Sequence, residues 1–235
     1  MTPDEQKRAA AAEALKFVEP GMTLGLGTGS TAAHFIDLLG ARVRDGLSVR
    51  GVPTSEDTHV RAAAAGIDLS EPDETTLIDL AVDGTDEVDT ALNLIKGGGG
   101  ALLREKIVAA AARRFVVIAD RSKRVAVLGK FPLPVEIDRF AFGLTVRRVR
   151  EALAGEGLAG DIRLRVKPGD TAPFLSDGGH FIVDCRLGRI VLPGALDAAL
   201  KAIPGVVETG LFVGLADTVI LGGPDGVETM TRAKT

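Results

Sequence analysis

Short apolar runs alternate with alanine-rich segments of helical pattern from the start of the chain to about residue 120, and no other feature limits the possible folds as strongly. The apolar runs have the length of strands and occupy residues 22–27, 47–53, 77–84 and 115–120. The segments between them have helical periodicity and occupy residues 31–43, 55–66 and 101–114. Strands and helices that alternate in this way are typical of βαβ units. The sequence therefore predicts an α/β fold, with a Rossmann-like, mostly parallel sheet and helices on both faces.

The pattern changes after residue 130, where two prolines lie in a short connection at residues 131–134. The later elements are predicted in the order strand, helix, strand, strand, helix, strand, at residues 133–137, 138–157, 161–166, 181–185, 195–203 and 205–212. That order is the β-α-β-β-α-β layout of ferredoxin-like domains. A last apolar run, residues 217–226, is expected to return to the first sheet. We expect a catalytic α/β domain of residues 1–130 with 208–235, and a smaller inserted α+β domain of residues 131–207.

Composition narrows the choice of partners and compartment. The net charge of -4 comes from 28 basic and 32 acidic residues mixed along the chain, and the 4% of aromatic residues are all Phe, so we expect no nucleic-acid partner. The single cysteine, Cys185, and three dispersed histidines favour neither a disulfide nor a dedicated metal site. Residues 1–20 mix charges into a helical pattern, and no segment has the length of a membrane span. We therefore expect a cytoplasmic protein without membrane contact.

The segment "GLGTGST", residues 25–31, joins a predicted strand to a predicted helix. Its glycines allow backbone N–H groups to turn toward an anion, and Ser30 and Thr31 add hydroxyl donors near the helix N-terminus. Ser30 stands where a dinucleotide fingerprint has its third glycine, and no lysine precedes the Ser-Thr pair as in a P-loop. A monophosphate is therefore a simpler interpretation of this segment than a dinucleotide or a nucleoside triphosphate. The alternative is a tight turn with a hydroxyl at the helix N-cap.

Four carboxylates crowd into seven residues after the strand that ends near Val82, namely Asp83, Asp86, Glu87 and Asp89. Their mutual repulsion disfavours the cluster unless a cation, a hydroxyl-rich ligand or protonation relieves it. We favour a site for sugar hydroxyl groups. A divalent-cation site with D-x-x-D ligands is a lesser alternative, and an Asx-type turn with solvated acids would explain Glu87 and Asp89.

The third segment, "LIKGGGGALLREKIVAAAARR", places Lys96 before four glycines and Glu105 on the helix that follows. The glycines let peptide N–H groups approach a ligand closely at the start of this helix. Glu105 shares an otherwise apolar helical face with Leu102 and Val108. If that face lines the crevice at the sheet edge, desolvation would raise the pKa of Glu105 toward the range of a general base. The alternative is an exposed Glu105 in an ordinary surface ion pair.

An anion-binding loop, a hydroxyl-binding cluster and a base beside a lysine suit proton abstraction next to a carbonyl in a sugar phosphate. The base would take a proton from carbon, and the lysine or backbone donors would stabilise the enediolate oxygen. This chemistry requires no redox cofactor.

The blocks "GLGTGSTAAHFIDLLG", "VDGTDEVD", "IKGGGGALLREKI", "ADRSKRVAVLGKFPLPVEI" and "AIPGVVETGLF" resemble, in order and spacing, those of type A ribose-5-phosphate isomerases. The resemblance implies interconversion of ribose 5-phosphate and ribulose 5-phosphate through a cis-enediol, without metal or organic cofactor. It places the general base at Glu105 and assigns further catalytic roles to Asp83, Asp86 and Lys96. It places substrate binding at Thr28, Gly29, Ser30, Thr31, Asp83, Gly84, Thr85, Asp86, Lys96, Gly97, Gly98, Gly99 and Lys123.

The assignment of Lys123 to substrate binding rests on this resemblance alone, since the sequence around it predicts only a surface lysine after a strand. Two positions depart from the family pattern, because Thr85 and Gly100 both stand where alanine is frequent. The resemblance also implies a homodimer or higher homo-oligomer.

Three other functions are alternatives to the isomerase. They are a sugar-phosphate-sensing domain, a nucleotide-dependent oxidoreductase and an amino-sugar phosphate isomerase-deaminase. The broken dinucleotide fingerprint at Ser30 disfavours the oxidoreductase.

Overall fold

The computed structural model describes residues 1–167 and 169–232. Its α-helices are α1 (Pro3–Ala14), α2 (Ser30–Arg44), α3 (Glu56–Ala64), α4 (Leu102–Ala111), α5 (Phe142–Gly155) and α6 (Pro193–Lys201). None of the helices in this part of the chain is long and apolar enough to span a bilayer. Contacts between residues divide the chain into two compact units. Unit one is residues 1–85, 104–123 and 214–235, and unit two is residues 86–103 and 124–213.

Unit one is built on a seven-stranded sheet. Its strands are β1 (Thr23–Leu26), β2 (Arg50–Pro53), β3 (Asp68–Leu69), β4 (Leu80–Asp83), β7 (Phe115–Asp120), β13 (Thr218–Gly223) and β14 (Gly226–Thr231). They lie in the order β14-β13-β7-β4-β1-β2-β3. All neighbours pair in parallel except β13 and β14. The predicted α/β fold is confirmed, including the return of residues 217–226 to the first sheet.

Helices cover both faces of this sheet, and the alternation along β1 shows why. Leu24 and Leu26 belong to an apolar cluster that includes Phe35 of α2. Gly25, between them, faces the opposite side, where its missing side chain leaves room for Val108 of α4. The helices α1, α2 and α3 therefore pack on one face and α4 on the other.

The strand order of this sheet reverses at one point, and this point predicts where a ligand binds. From β1 the chain moves outward through β2 to β3, and then crosses back to β4 on the other side of β1. In open α/β sheets, ligands bind beyond the carboxyl ends of the strands at such a point. Here the chain leaves β1 at Gly27 and β4 at Asp83.

Helix α1 shows how local sequence sets an element boundary. Thr2 is the N-cap, its hydroxyl accepts from the N–H of Glu5, and the Glu5 carboxylate accepts from the N–H of Thr2, which completes a capping box. That bond from the Thr2 N–H lowers the pKa of Glu5 below its usual value. Pro3 fills the first helical position, where its missing N–H costs nothing.

Unit two contains the predicted β-α-β-β-α-β layout. Its main sheet consists of β8 (Leu133–Ile137), β9 (Asp161–Leu164), β10 (Phe181–Arg186) and β11 (Val206–Thr209), which combine with α5 and α6. The strands are antiparallel and lie in the order β11-β8-β10-β9. A second, three-stranded sheet of β5 (Glu87–Val88), β6 (Leu94–Ile95) and β12 (Leu211–Phe212) was not expected from the sequence.

Two boundaries in unit two differ from the predicted ones for identifiable reasons. Helix α5 begins at Phe142, later than predicted, because the Asp138 carboxylate accepts from the N–H of Phe140 at 2.7 Å and Ala141 has a left-handed φ of 49°. The predicted strand 205–212 divides at Gly210, whose N–H donates to Pro134 O at 2.7 Å while its carbonyl accepts from the N–H of Lys96 at 2.9 Å. The two parts therefore join different sheets.

The single cysteine is enclosed in the core of unit two. Cys185 is 0% exposed, and burial, with the Asp184 charge as a smaller cause, raises the pKa of its thiol to about 12. The thiolate fraction at pH 8 is then on the order of 1 in 10,000. We expect a disulfide reagent at pH 8 to label Cys185 at least about 100-fold faster in urea-unfolded protein than in native protein. Rapid stoichiometric labelling of the native protein would contradict the buried placement.

Candidate active site

The turn between β1 and α2 has the features of an anion site. Gly29 occupies the N-cap with a φ of 103°, so no hydroxyl caps the helix, in contrast to the alternative considered for Ser30. The N–H of Gly27 donates to Val82 O at 2.9 Å and that of Thr28 to Asp83 Oδ1 at 3.0 Å. Only the N–H groups after Thr28 are therefore in a position to bind an external anion at the positive end of the helix dipole.

Lys7 adds a positive charge to this turn. Its Nζ, on α1, donates to Ser30 Oγ at 3.0 Å. Lys7 could not be found from the sequence because 23 residues separate it from Ser30 and its local surroundings form an ordinary helical segment. An ammonium beside the helix N-terminus strengthens the attraction for a phosphate.

The Thr28 side chain points away from the predicted anion site, into the interior of unit one. Its Oγ1 lies 2.8 Å from both Thr54 Oγ1 and Ser55 Oγ, beyond the end of β2. The Thr58 hydroxyl, on α3, donates to the Gly27 carbonyl at 2.9 Å. These hydroxyl contacts fix the backbone of the turn from behind.

Asp83 connects the two loops at the reversal point. It ends β4, is 3% exposed, and its Oδ1 accepts from the N–H of Thr28 at 3.0 Å and from that of Gly84 at 2.6 Å. A Cβ at Gly27 would collide with this carboxylate and would lie 2.5 Å from the Asp83 Cα. Glycine is therefore required at position 27 for the close approach of β1 and β4.

Glu105 lies on the buried face of α4. It is 5% exposed and lines a narrow space together with Gly27, Thr54 and Asp83. The alternative of an exposed Glu105 in a surface ion pair is therefore wrong. Its neighbour Arg104 pairs instead with Glu56 at 2.8 Å. The buried carboxyl and the end of β4 thus share one space at the carboxyl end of the sheet.

The four clustered carboxylates separate into different roles. Glu87 is 2% exposed and accepts from the N–H groups of Gly129 at 2.7 Å and Phe131 at 2.6 Å, so it holds backbone and is not a solvated acid. Asp89 accepts from the N–H of Asn93 at 2.8 Å and closes the turn between β5 and β6, which agrees with the Asx-type turn given as an alternative for this residue. Among residues 1–167 and 169–232, no group of three or more His, Cys, Asp or Glu side chains is placed to hold a metal.

In unit two, Asp86 and Lys96 flank the glycine turn. Lys96 is 2% exposed, and its Nζ lies 5.4 Å from the Phe212 ring centroid. The Asp86 Oδ2 accepts from the N–H of Gly98 at 2.8 Å, and a Cβ at Gly98 would lie 2.8 Å from Asp86 Oδ1. Gly97 has a φ of 101°, a conformation that glycine adopts without strain. The glycines are thus explained by close packing as well as by conformation.

Thr85 and Lys123 have less definite surroundings. Thr85 is half-buried directly after Gly84. Lys123 is half-buried at the end of a 3₁₀ turn, Arg121–Lys123, that follows β7. Because β7 is the neighbour of β4, Lys123 follows the carboxyl end of the strand next to the one that Asp83 ends.

Gly100 is explained by an aromatic ring. Its φ is 84°, and a Cβ there would lie 2.5 Å from the Phe174 ring. We expect Gly100→Ala to lower the free energy of unfolding by about 2 to 3 kcal/mol, from left-handed strain plus overpacking. In the double variant with Phe174→Leu, the added loss should shrink by about 1 kcal/mol. Urea unfolding of the four proteins measures this coupling, and strict additivity would show that the ring is not the obstacle.

The strand order, the helix-terminal turn with Lys7, and the buried carboxyls of Asp83 and Glu105 define an α/β enzyme of the class that acts on small phosphorylated substrates. The sequence model of "Ribose 5-phosphate isomerase A (phosphoriboisomerase A)" matches residues 50–226. The chain belongs to this family.

Close relatives span nearly the full chain. Ribose-5-phosphate isomerase A of Rhodopseudomonas palustris (strain BisB18) is 58% identical over 232 residues, 99% of this chain and 100% of the relative. The protein of the same name from Brucella suis biovar 1 is 56% identical over 227 residues, 97% of each chain. The resemblance found in the sequence is thereby confirmed.

Solved structures of ribose-5-phosphate isomerases are similar to this chain over almost its whole length. A D-ribose-5-phosphate isomerase in complex with phospho-erythronic acid has a TM-score of 0.92 at 41% identity, covering 99% of this chain and 100% of that one. Ribose 5-phosphate isomerase A from Methanocaldococcus jannaschii has a TM-score of 0.89 at 42% identity, covering 98% of this chain and 100% of that one.

Proposed function

We propose that the protein interconverts D-ribose 5-phosphate and D-ribulose 5-phosphate through a cis-enediolate, with Glu105 as the general base. The observation that carries this proposal is the buried Glu105 carboxyl, which shares a narrow space with Asp83 and Gly27 at the reversal point of the sheet. A positioned base in such surroundings is what proton abstraction from carbon requires.

In the proposed reaction, the Glu105 carboxylate removes the proton from C2 of the open-chain aldose. The C–H electron pair forms the C1–C2 double bond, and the carbonyl electrons move to O1 as an enediolate. Return of the proton from Glu105 to C1, with transfer of the O2 proton to O1, gives the ketose. Atoms and charge balance without any redox step.

The remaining residues bind the substrate in this proposal. The N–H groups from Gly29 to Thr31, the Ser30 and Thr31 hydroxyls and the Lys7 ammonium bind phosphate, and Thr28 holds their loop. Asp83 and Lys96 assist ring opening, and Lys96 stabilises the negative charge on the enediolate oxygen. We propose a catalytic role for Asp86 as well. Sugar hydroxyl and carbonyl groups are bound by Gly84, Thr85, Gly97, Gly98, Gly99 and Lys123.

A ligand of a relative supports the enediolate. Phospho-erythronic acid, with which one related isomerase forms a complex, carries a planar carboxylate next to a hydroxyl-bearing carbon, and this group has the shape and charge of an enediolate. We propose that this acid competes with ribose 5-phosphate in the present protein. Compounds that resemble a reaction intermediate bind more tightly than substrates.

The test is formation of ribulose 5-phosphate from ribose 5-phosphate by chelator-treated protein without added cofactor. Activity under these conditions supports the isomerase and the expected independence of metal and cofactor. Ammonia release from glucosamine 6-phosphate would favour the amino-sugar phosphate isomerase-deaminase. Tight sugar-phosphate binding without turnover would favour a sensing domain, and turnover only with a nicotinamide nucleotide would favour an oxidoreductase.

Four further features belong to the proposal. The reaction places the protein in the non-oxidative branch of the pentose phosphate pathway, and we propose a cytoplasmic location. We also propose a homodimer or higher homo-oligomer, which light scattering after size-exclusion chromatography would measure. The division into residues 1–130 with 208–235 and residues 131–207 remains a proposal about independently folding domains, testable by limited proteolysis.

A further inference from the structure

Arg165, directly after β9, is held in one orientation within unit two. Its Nε lies 3.0 Å from Asp184 Oδ2 and its Nη2 lies 2.6 Å from Asp184 Oδ1, a two-point contact with β10. The side chains are 13% and 24% exposed, respectively. A planar guanidinium that is fixed by both of these bonds has little freedom left.

The remaining nitrogen of Arg165 reaches the glycine turn. Its Nη1 donates to the Gly97 carbonyl at 2.8 Å and approaches the Gly98 carbonyl at 3.3 Å. Glycines have no side chains by which packing could hold them, so contacts to their peptide groups must set the shape of the turn. On the N–H side this contact is made by Asp86, which accepts from Gly98 at 2.8 Å.

The two carbonyls belong to the peptide groups that carry the N–H of Gly98 and the N–H of Gly99. A positive charge on the oxygen of a peptide group polarises its N–H and strengthens it as a donor. Arg165 therefore both orients these two donors and increases their strength. The N–H of Gly98 donates its hydrogen bond to the Asp86 carboxylate.

We propose that Arg165 is a positioning residue for the isomerisation, acting through the Gly97 and Gly98 carbonyls to hold the N–H donors of the glycine turn, with Asp184 fixing its guanidinium. The inference rests on the proposed function, in which this turn binds the carbonyl end of the sugar. Arg165 itself does not touch the substrate in this account.

The experiment compares Arg165→Lys with wild type by steady-state kinetics and by amide hydrogen exchange of Gly98 and Gly99 without substrate. Lysine keeps the charge but not the two-point contact with Asp184. We expect kcat to fall at least tenfold with KM changed by less than threefold, because the Gly99 donor, held by this turn, matters most when charge develops on the substrate oxygen. We also expect exchange of the Gly98 amide to become at least tenfold faster.

A matched control lies two residues away. Arg163 on β9 pairs with Asp161 in an exposed ion pair, with side chains 71% and 48% exposed, so Arg163→Lys should leave both kcat and glycine exchange within twofold of wild type. If Arg165→Lys does not fold, Asp184→Asn decides, and we expect a three- to tenfold loss of kcat in it.

Two results overturn the proposal. One is a kcat within twofold of wild type in the folded Arg165→Lys protein, or in Asp184→Asn if the first variant does not fold. The other is a loss of kcat with unchanged exchange at Gly98, which would place the effect elsewhere. Because exchange is measured without turnover, an inactive wild type would refute the proposed function while the positioning of the turn could still be read.

Discussion

Glu105→Gln is expected to lower kcat for ribose 5-phosphate by about 1,000-fold or more, since a general base contributes factors of this order. Glutamine has the size of glutamate, so the buried face of α4 keeps its packing, but its amide cannot accept a proton from carbon. Binding of phospho-erythronic acid should stay within about threefold of wild type, because binding of an unreactive ligand needs no proton transfer. Calorimetric titration with this acid, beside the kinetic assay, separates the two effects.

The control for this variant is Glu56→Gln. Glu56 is a solvated glutamate with 68% of its side chain exposed, paired with Arg104, the residue next to Glu105. Its kcat should remain within about twofold of wild type, since exposed ion pairs contribute little. If Glu105→Gln retained near-normal turnover while binding the acid normally, another group would have to be the base.

The sheet and Glu105 were accessible from the sequence because both depend on short-range patterns. Alternating apolar runs and helical segments determine a parallel sheet, and glycine-rich or acidic ends of strands must meet at one edge of it. A carboxylate on an apolar helical face is visible from the spacing of Glu105, Leu102 and Val108. Burial of Glu105, which selects between base and surface residue, needed the structure.

Contacts between distant segments were not accessible. Lys7 reaches Ser30, and Arg165 reaches a carbonyl 68 residues away, without any local pattern that marks either residue. The same holds for the two-residue strands β5, β6 and β12, which are too short to show alternation. Their pairing depends on the position of the chain around them.

The acidic cluster shows both limits at once. The sequence predicted that a cation, a hydroxyl-rich ligand or protonation relieves the repulsion, and four similar residues gave no basis for dividing the roles. The backbone does so, because Glu87 is satisfied by Gly129 and Phe131 and Asp89 by its own turn. Asp83 and Asp86 instead accept from N–H groups of the loops proposed to bind substrate.

Gly27→Ala is expected to destabilise the protein by about 3 kcal/mol and to lower kcat/KM by about 100-fold, the scale expected for overpacking and for misplaced catalytic groups. The added methyl group would collide with the Asp83 carboxylate and lie 2.5 Å from the Asp83 Cα, so either the strand ends move apart or the carboxylate leaves its place. Movement of the carboxylate breaks its bonds from the N–H groups of Thr28 and Gly84. Both outcomes disturb the proposed phosphate turn and Asp83 together.

The matched steric control is Gly84→Ala, at the residue that follows Asp83 and also donates its N–H to this carboxylate. There a Cβ would have its nearest neighbours at 3.9 Å, an ordinary contact, so the free energy of unfolding should change by less than about 1 kcal/mol. Urea unfolding measures both variants, and the isomerase assay adds the kinetic effect for Gly27→Ala. Equal stability of the two variants would mean that β1 and β4 separate easily at this point. The close approach of the two strands would then have no role in holding the Asp83 carboxylate in place.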